Sequence, residues 1–302
     1  MIIGCSNSKR LAKNIARKSR QEYSELIIKK FPDGETYLRF KTDVKNKKSK
    51  RFFKPQNNIL SNKEIVLVNS CHPNPNDALI ELLFAAQTAK ELGAKKVTIV
   101  ASYIAYLRQD KRFHEGECKS NSIIAELLNC ADELITIDPH LHRIKSLNDI
   151  FKIKTKRLSA NKAIADFIEQ NHKNALIIGP DEESYQWAEK IAEEINSHAI
   201  ILRKKRYNSR SVRIKLKQDV DFKNKDVVIV DDIISTGHTM IEPIKQLKQK
   251  GVKKITCICV HGLFVEDALE RLKRLGVDVI STNTIESKVS KIDVSKLVAD
   301  NL

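Results

Sequence analysis

The chain has no apolar run approaching the roughly 18 to 20 residues of a membrane span. It opens on MIIGCSNSKR, which lacks the basic region and apolar core of a secretory signal. The expectation is a cytoplasmic protein with no membrane partner. Its 6 cysteines (5, 71, 118, 130, 257, 259) include no Cys-x-x-Cys pair, which argues against a zinc knuckle and a redox dithiol. Cys257 and Cys259 alternate along one apolar stretch and read as reduced, buried small residues. Acidic residues are the scarce charge: 38 Asp plus Glu stand against 54 Lys plus Arg, a formal net charge of +16. That excess favours anionic ligands, either nucleotide phosphates in a cleft or nucleic acid over a surface, and does not choose between them. The run from 45 to 63, KNKKSKRFFKPQNNILSNK, has no acid at all and centres on Phe52 and Phe53. Basic residues interleaved with aromatics suit single-stranded nucleic acid. A solvated loop between two strands is the more frequent outcome of this composition, and it is the expectation here. At 302 residues the chain has room for two domains, drawn at 1–149 and 150–302.

What is present centres on VVIVDDIISTGHTM, positions 227–240. Val227 to Val230 form the short apolar run of a buried parallel strand, and Asp231 and Asp232 are expected at its end. Ser235, Thr236, Gly237, His238 and Thr239 follow, and then Met240, Ile241, Ile244 and Leu247 recur at helical spacing. The polar cluster therefore occupies a turn into a helix N-terminus, where backbone N–H groups and the helix dipole favour a phosphate. Phosphate alone does not call for paired acids. Two carboxylates beside a phosphate cradle suit a sugar phosphate, whose vicinal hydroxyls they can accept or whose metal they can hold. Simple capping of the next helix would need only one of them.

The chain repeats itself. NKEIVLVNS (62–70), a helix, and GAKKVTIVAS (93–102) match NKDVVIVDD (224–232), a helix, and GVKKITCICV (251–260). Two copies of one βαβ core imply two doubly wound α/β halves with parallel sheets, related by internal duplication. The first copy has Asn69-Ser70 where the second has Asp231-Asp232, so the sugar-phosphate site is expected in the second half alone.

Further motifs punctuate strand ends. A strand from Ser24 leads into Phe31-Pro32-Asp33-Gly34-Glu35, in isolation an ordinary turn. Arg108-Gln109-Asp110-Lys111 follows a strand end and combines a planar cation with an amide able to read an adenine edge. Asp138-Pro139-His140 closes another strand, its histidine a metal or phosphate ligand or merely structural. Pro180-Asp181-Glu182-Glu183-Ser184 sets carboxylates at a helix start. Arg203 to Arg210 is a basic stretch in which Lys204 and Arg206 fall on one side if the chain is extended. The tail from 286 to 302 carries a weak helical pattern, read as a final helix packing back on the body.

Together FPDGE, RQDK, DPH, GPD, KKR and DDIISTGHT resemble the ribose-phosphate diphosphokinase family, with GPDEES and the short chain resembling its archaeal branch. The resemblance spans nearly the whole chain. It implies two phosphoribosyltransferase-like domains, the first with ATP motifs, and Mg²⁺-dependent transfer of diphosphate from ATP to ribose 5-phosphate. Phe31, Asp33, Gly34 and Glu35 would serve ATP from a neighbouring subunit of a homo-oligomer, and Arg108 and Gln109 would contact it as well. His140 and Asp181 would position Mg²⁺, and Lys204 and Arg206 would be catalytic. Asp231, Asp232, Ser235, Thr236, Gly237, His238 and Thr239, with Arg206, would bind ribose 5-phosphate. Nucleic acid is not expected as a partner. The rivals are a phosphoribosyltransferase, which would share the 227–240 signature without an ATP site, and a non-catalytic regulatory homologue. Two departures stand out: the basic 45–63 insertion, and Glu182-Glu183 where many relatives carry small residues.

Overall fold

Short apolar runs separated by amphipathic segments build two α/β units, Met1–Leu158 with Ser295–Leu302, and Ser159–Val294. The computed structural model describes residues 1–41, 60–141, 144–197, 199–208, 211–216 and 220–302, with the backbone alone at 182, 183, 201–208 and 211–216. Most of the basic 45–63 run, with Phe52 and Phe53, lies outside the described residues, as do His142, Ser209 and Arg210.

In the first unit the strands are β1 (Ile2–Gly4), β2 (Tyr23–Lys30), β3 (Thr36–Phe40), β4 (Glu64–Asn69), β5 (Lys96–Ala101), β6 (Glu133–Ile137) and β7 (Lys154–Leu158). They form one sheet in the order β3-β2-β1-β4-β5-β6-β7, parallel except for the β2–β3 hairpin. Helices α1 (Lys9–Ser19), α2 (Pro75–Glu91) and α3 (Ser120–Leu128) make the crossovers. Strand β4 is buried from Ile65 to Asn69, as expected of a parallel strand covered on both faces. On α1, Leu11, Ala12, Ile15 and Ala16 form the stripe that packs inward.

The second unit repeats this plan with β8 (Leu176–Gly179), β9 (Ala199–Asn208), β10 (Ser211–Leu216), β11 (Asp226–Ile234), β12 (Lys254–Gly262), β13 (Asp278–Thr282) and β14 (Ser290–Ile292). Their order is β10-β9-β8-β11-β12-β13-β14. Helices α4 (Asn161–Asn171), α5 (Glu182–Glu194), α6 (His238–Gln249) and α7 (Ala268–Arg274) belong to it, and α8 (Ser295–Ala299) returns to the first unit. Its core joins Val227 and Ile229 of β11 to Met240, Ile244 and Leu247 of α6 and to Cys257 and Cys259 of β12.

The duplication extends to register. Glu64 pairs with Lys96 as Asp226 pairs with Lys254, and Thr98 pairs with Glu133 as Thr256 pairs with Asp278. Even the ion pairs correspond: Lys96–Glu133 at 2.5 Å and Lys254–Asp278 at 2.8 Å. Each sheet has one place where the chain departs to opposite sides of neighbouring parallel strands, between β1 and β4 and between β8 and β11. Such switch points are where open α/β sheets leave a crevice for ligands.

Three boundaries differ from the sequence reading. The 149/150 division falls before β7, which extends the first sheet beside β6, and α8 packs on α1. The tail is tied there by Lys156, whose Nζ donates to the carbonyl of Asn301 at 2.6 Å. Strand β11 does not stop at Val230: it continues through Asp231 and Asp232, because Ile233 and Ile234 go on pairing with His261 and Gly262 of β12. Strand β9 likewise runs through the basic residues to Asn208, paired antiparallel with β10.

Candidate functional site

At the end of β8 a glycine decides the geometry. A Cβ on Gly179 would stand 2.6 Å from Cα and 2.7 Å from the backbone nitrogen of Tyr185, so only glycine lets the first turn of α5 lie against the strand. Asp181 is the N-cap of that helix, its Oδ1 accepting the backbone N–H of Ser184 at 2.9 Å. The hydroxyl of Ser184 lies 2.9 Å from the same Oδ1 and 2.7 Å from Oδ1 of Asp231 on β11. Asp231 Oδ1 also accepts the backbone N–H of Asp232 at 3.0 Å. The crevice between β8 and β11 thus collects Asp181, Ser184, Asp231 and Asp232.

Asp231 is only 9% exposed. Burial, then the charges of Asp232 and Asp181, push its carboxyl well above the ordinary carboxylate range, against the opposing hydrogen bond of Ser184. Burial and the same carboxylate push the Cys257 thiol up to about 12 and raise that of Cys259. Both thiols are therefore protonated at neutral pH and are not nucleophiles.

From β11 the chain turns through Ser235, Thr236 and Gly237 into α6. Gly237 is the N-cap with φ 73°, a left-handed backbone suited to glycine, and it has no side chain to cap the helix. The first N–H groups of α6 thus lack a side-chain acceptor at this cap, in the arrangement that suits an anion. Sequence reasoning did not find the brace on this turn. Arg271 of α7 donates through Nη1 to the carbonyl of Thr236 and to Nε2 of His238, each at 3.2 Å, and through Nη2 to the carbonyl of Glu266 at 2.7 Å. Ser184 was likewise not singled out, although its place on a helical stripe with the buried Ala188, Ile191 and Ala192 could have marked it.

Lys204 and Arg206 lie on β9, opposite Ile214 and Val212 of β10. In the first unit, Phe31 to Glu35 form the β2–β3 turn. Gly34 N–H donates to the Phe31 carbonyl at 2.9 Å, Glu35 N–H to Asp33 Oδ1 at 3.1 Å, and Gly34 has φ 93°. Phe31 is 48% exposed and meets Tyr37 edge-on at 5.8 Å between centroids. Arg108 and Gln109 follow β5 in a loop where Cys118 Sγ lies 3.1 Å from Gln109 Oε1. His140 follows β6 just after Asp138, which is buried with φ 39°. The structure brings Asp181, Asp231 and Asp232 together in the second unit; Phe31 to Glu35, Arg108, Gln109 and His140 belong to the first.

The first unit's crevice is filled from within. Asn69, at the register position of Asp231, accepts the backbone N–H of Asn7 through Oδ1 at 3.2 Å, and its amide donates to Glu81 Oε2 at 3.3 Å. Glu81, from α2 and buried, also takes the backbone N–H and the hydroxyl of Ser6, at 3.2 and 2.6 Å.

Two doubly wound sheets of one order, one with an acidic crevice beside a left-handed glycine turn, define a phosphoribosyltransferase-like protein. Known proteins narrow this. Residues 1–131 match the model of the N-terminal domain of ribose phosphate pyrophosphokinase, and residues 146–296 match the phosphoribosyl transferase domain. The ribose-phosphate pyrophosphokinases of Methanobrevibacter smithii and Methanothermobacter thermautotrophicus are each 35% identical to the chain, covering 100% and 99% of it and 99% of their own lengths. The crystal structure of phosphoribosylpyrophosphate synthetase from Mycobacterium smegmatis shares the fold, with a TM-score of 0.80 over 99% of this chain and 96% of that one at 23% identity. The chain belongs to the ribose-phosphate pyrophosphokinase family and is an enzyme of that class.

Proposed function

We propose that the protein is a cytoplasmic, Mg²⁺-dependent enzyme that transfers the diphosphate of ATP to the anomeric hydroxyl of ribose 5-phosphate, giving 5-phosphoribosyl 1-diphosphate and AMP. The observation that carries this reading is the joining of Asp181, Ser184, Asp231 and Asp232 at the switch point, one short turn from Gly237. A sugar phosphate needs both parts: carboxylates to accept its hydroxyls, and N–H groups with hydroxyl side chains for its phosphate. Asp231 and Asp232 take the ribose hydroxyls, and Ser235, Thr236, Gly237, His238 and Thr239 the 5-phosphate, with Arg271 bracing the turn.

The anomeric oxygen attacks the β-phosphorus of ATP, and the bond from that phosphorus to the oxygen bridging it to the α-phosphorus breaks. AMP leaves with that electron pair and the hydroxyl proton passes to solvent. Negative charge grows on the phosphoryl oxygens and the leaving group, so positioned cations supply most of the acceleration. Lys204 and Arg206 of β9 are those cations, Arg206 also touching ribose 5-phosphate. Phe31, Asp33, Gly34 and Glu35, with Arg108 and Gln109, bind ATP.

The donor set fits Mg²⁺. Among the described residues only Oδ1 of Asp181 accepts a hydrogen bond, which leaves Oδ2 for a hard cation. No group of three His, Cys, Asp or Glu side chains able to hold a metal occurs among the described residues. An Mg²⁺ ion here would be held by one or two carboxylates and the substrate's phosphates. His140, a nitrogen donor, suits contact through a bound water. When bound, the ion neutralises charge on the transferred phosphoryl groups.

The ATP site is proposed to be shared within a homo-oligomer. Exposed Phe31 on its hairpin turn supports this, as do the exposed i,i+4 pairs Ile80/Phe84 on α2 and Ile123/Leu127 on α3. These helices make successive crossovers in one direction and so share a face of the sheet. The deciding experiment supplies ATP, Mg²⁺ and ribose 5-phosphate and identifies the nucleotide formed. AMP appearing one-for-one with phosphoribosyl pyrophosphate supports the reading, ADP indicates an ordinary kinase, and no turnover favours a regulatory homologue. Light scattering on the wild type and Phe84→Ser tests the assembly.

A further inference from the structure

A hydroxyl on the buried stripe of a helix is costly unless its hydrogen bonds are met. Ser184 stands on such a stripe with Ala188, Ile191 and Ala192, and is 5% exposed. An alanine there would serve packing equally well. The backbone N–H of Ser184 already completes the cap with Asp181, so the hydroxyl is not needed to start α5. It reaches instead across the crevice, 2.9 Å from Asp181 Oδ1 and 2.7 Å from Asp231 Oδ1, joining elements far apart in sequence.

We propose that Ser184 is a positioning residue of the ribose 5-phosphate site, whose hydroxyl holds the Asp181 and Asp231 carboxylates in one fixed arrangement across the switch point. This rests on the function proposed above and deepens it. Carboxyl groups brought this close repel, and the backbone N–H groups of Ser184 and Asp232 each hold only one of the two. One hydroxyl carries one proton, so it ties two acceptor oxygens with a single shared donor. The tie orients the two without bringing a positive charge of its own, so that sugar hydroxyls and a cation meet carboxyl oxygens already in place. Gly179 belongs to the same device: a side chain there would push the first turn of α5, and Ser184 with it, away from the strand. Asp231 is thereby oriented before the sugar arrives, and binding does not have to order it.

The test compares Ser184→Ala, which keeps the capping N–H and removes the tie, with Ser184→Thr, which keeps the hydroxyl. Calorimetry with ribose 5-phosphate and Mg²⁺ but no ATP reads affinity, steady-state kinetics read KM for each substrate, and thermal melting checks the fold. Ser184→Ala is expected to weaken ribose 5-phosphate binding about tenfold, as loss of one charge-assisted hydrogen bond does, with the KM for ATP within about twofold. Ser184→Thr should stay within about threefold of wild type for both. Should Ser184→Ala not fold, Ser184→Cys, close in shape but a weak donor, carries the same comparison. The inference is overturned if the folded variant lacking the hydroxyl binds the sugar like wild type, if both KM values rise alike, or if the threonine variant fails equally. A wild type that neither binds nor turns over ribose 5-phosphate instead defeats the functional reading, and the inference with it.

Discussion

Asn69 and Asp231 occupy one register position in two sheets. Asn69 lies opposite Ala101 and Asp231 opposite Cys259, at the same place in runs that each start on a carboxylate–lysine pair, Glu64 with Lys96 or Asp226 with Lys254. Their surroundings are opposite in kind. Asp231 faces two further acids and a hydroxyl, whereas the Asn69 amide meets Glu81, a carboxylate supplied by the unit's own helix. A carboxylate is built into the first crevice as an acceptor for its own backbone and hydroxyl donors, and the sugar hydroxyls proposed above are the donors for the second.

That contrast predicts both binding and stability. Calorimetry should find one ribose 5-phosphate per chain, because Glu81 fills the counterpart crevice. Replacing Glu81 by Ala strands the Ser6 N–H and hydroxyl and leaves the Asn69 amide only the Ala78 carbonyl, and should cost on the order of 3 kcal/mol in urea unfolding. Glu81→Gln, which keeps shape and some of the acceptors, should cost less. A two-site isotherm, or a Glu81→Ala protein as stable as wild type, contradicts the account.

Asp231 is buried at a cost to stability. Its carboxyl is raised above the unfolded value of about 4 by burial and by Asp232 and Asp181, so above that pH the folded state holds protons that the unfolded state has released. Stability contributed by the protonated form is then lost as pH rises toward the raised value. Asp231→Asn escapes this penalty. Melting curves of variant and wild type should lie close near pH 4 and separate as pH increases, the variant being the more stable. The same variant should lose ribose 5-phosphate affinity far more than ATP affinity, and the opposite order would place the sugar elsewhere.

Much of this was legible in the chain. The repeat from Asn62 and from Asn224 disclosed both sheets, since parallel strands buried on two faces read as apolar runs. The turn into α6 was legible from its polar cluster ahead of the helical spacing, whereas the left-handed backbone at Gly237 was not read from it. Strand β7 was not, because Lys154 to Leu158 is a polar edge strand without an apolar run. Nor was the length of β11: Ile233 and Ile234 continue it only because β12 offers His261 and Gly262 as partners, a fact of pairing and not of local sequence. Arg271 escaped for the same reason, its hydrogen bonds being to Thr236 and His238 where the distant β11–α6 turn enters the helix.

Lys204 lies on β9 opposite Ile214, and its ammonium is one of the two cations proposed above to act on the phosphoryl groups. An ammonium that acts on charge developing in the transition state contributes little to ground-state binding. Lys204→Ala should therefore lower kcat by roughly two to four orders of magnitude and leave both KM values nearly unchanged. An unchanged kcat would remove it from the chemistry.

The three adjacent acids at 181–183 separate by role. Asp181 is extended, at φ −146° and ψ −174°, and commits Oδ1 to Ser184. Oδ2 is then the oxygen left for the Mg²⁺ proposed above. Glu182 and Glu183 open α5, where the helix dipole stabilises a carboxylate by roughly 0.3 to 1 kcal/mol without any ligand. Three like charges converging on one diphosphate would instead cost several kcal/mol in a partly dry crevice. Assayed across Mg²⁺ concentration, Asp181→Asn should need much more of the ion for half-maximal rate, because it loses the anionic oxygen while keeping an acceptor for the cap. Glu182→Gln and Glu183→Gln should track wild type. If either glutamine variant shifts the Mg²⁺ requirement as far as Asp181→Asn does, the ion is held by the first turn of α5 as a whole and the single-carboxylate assignment fails.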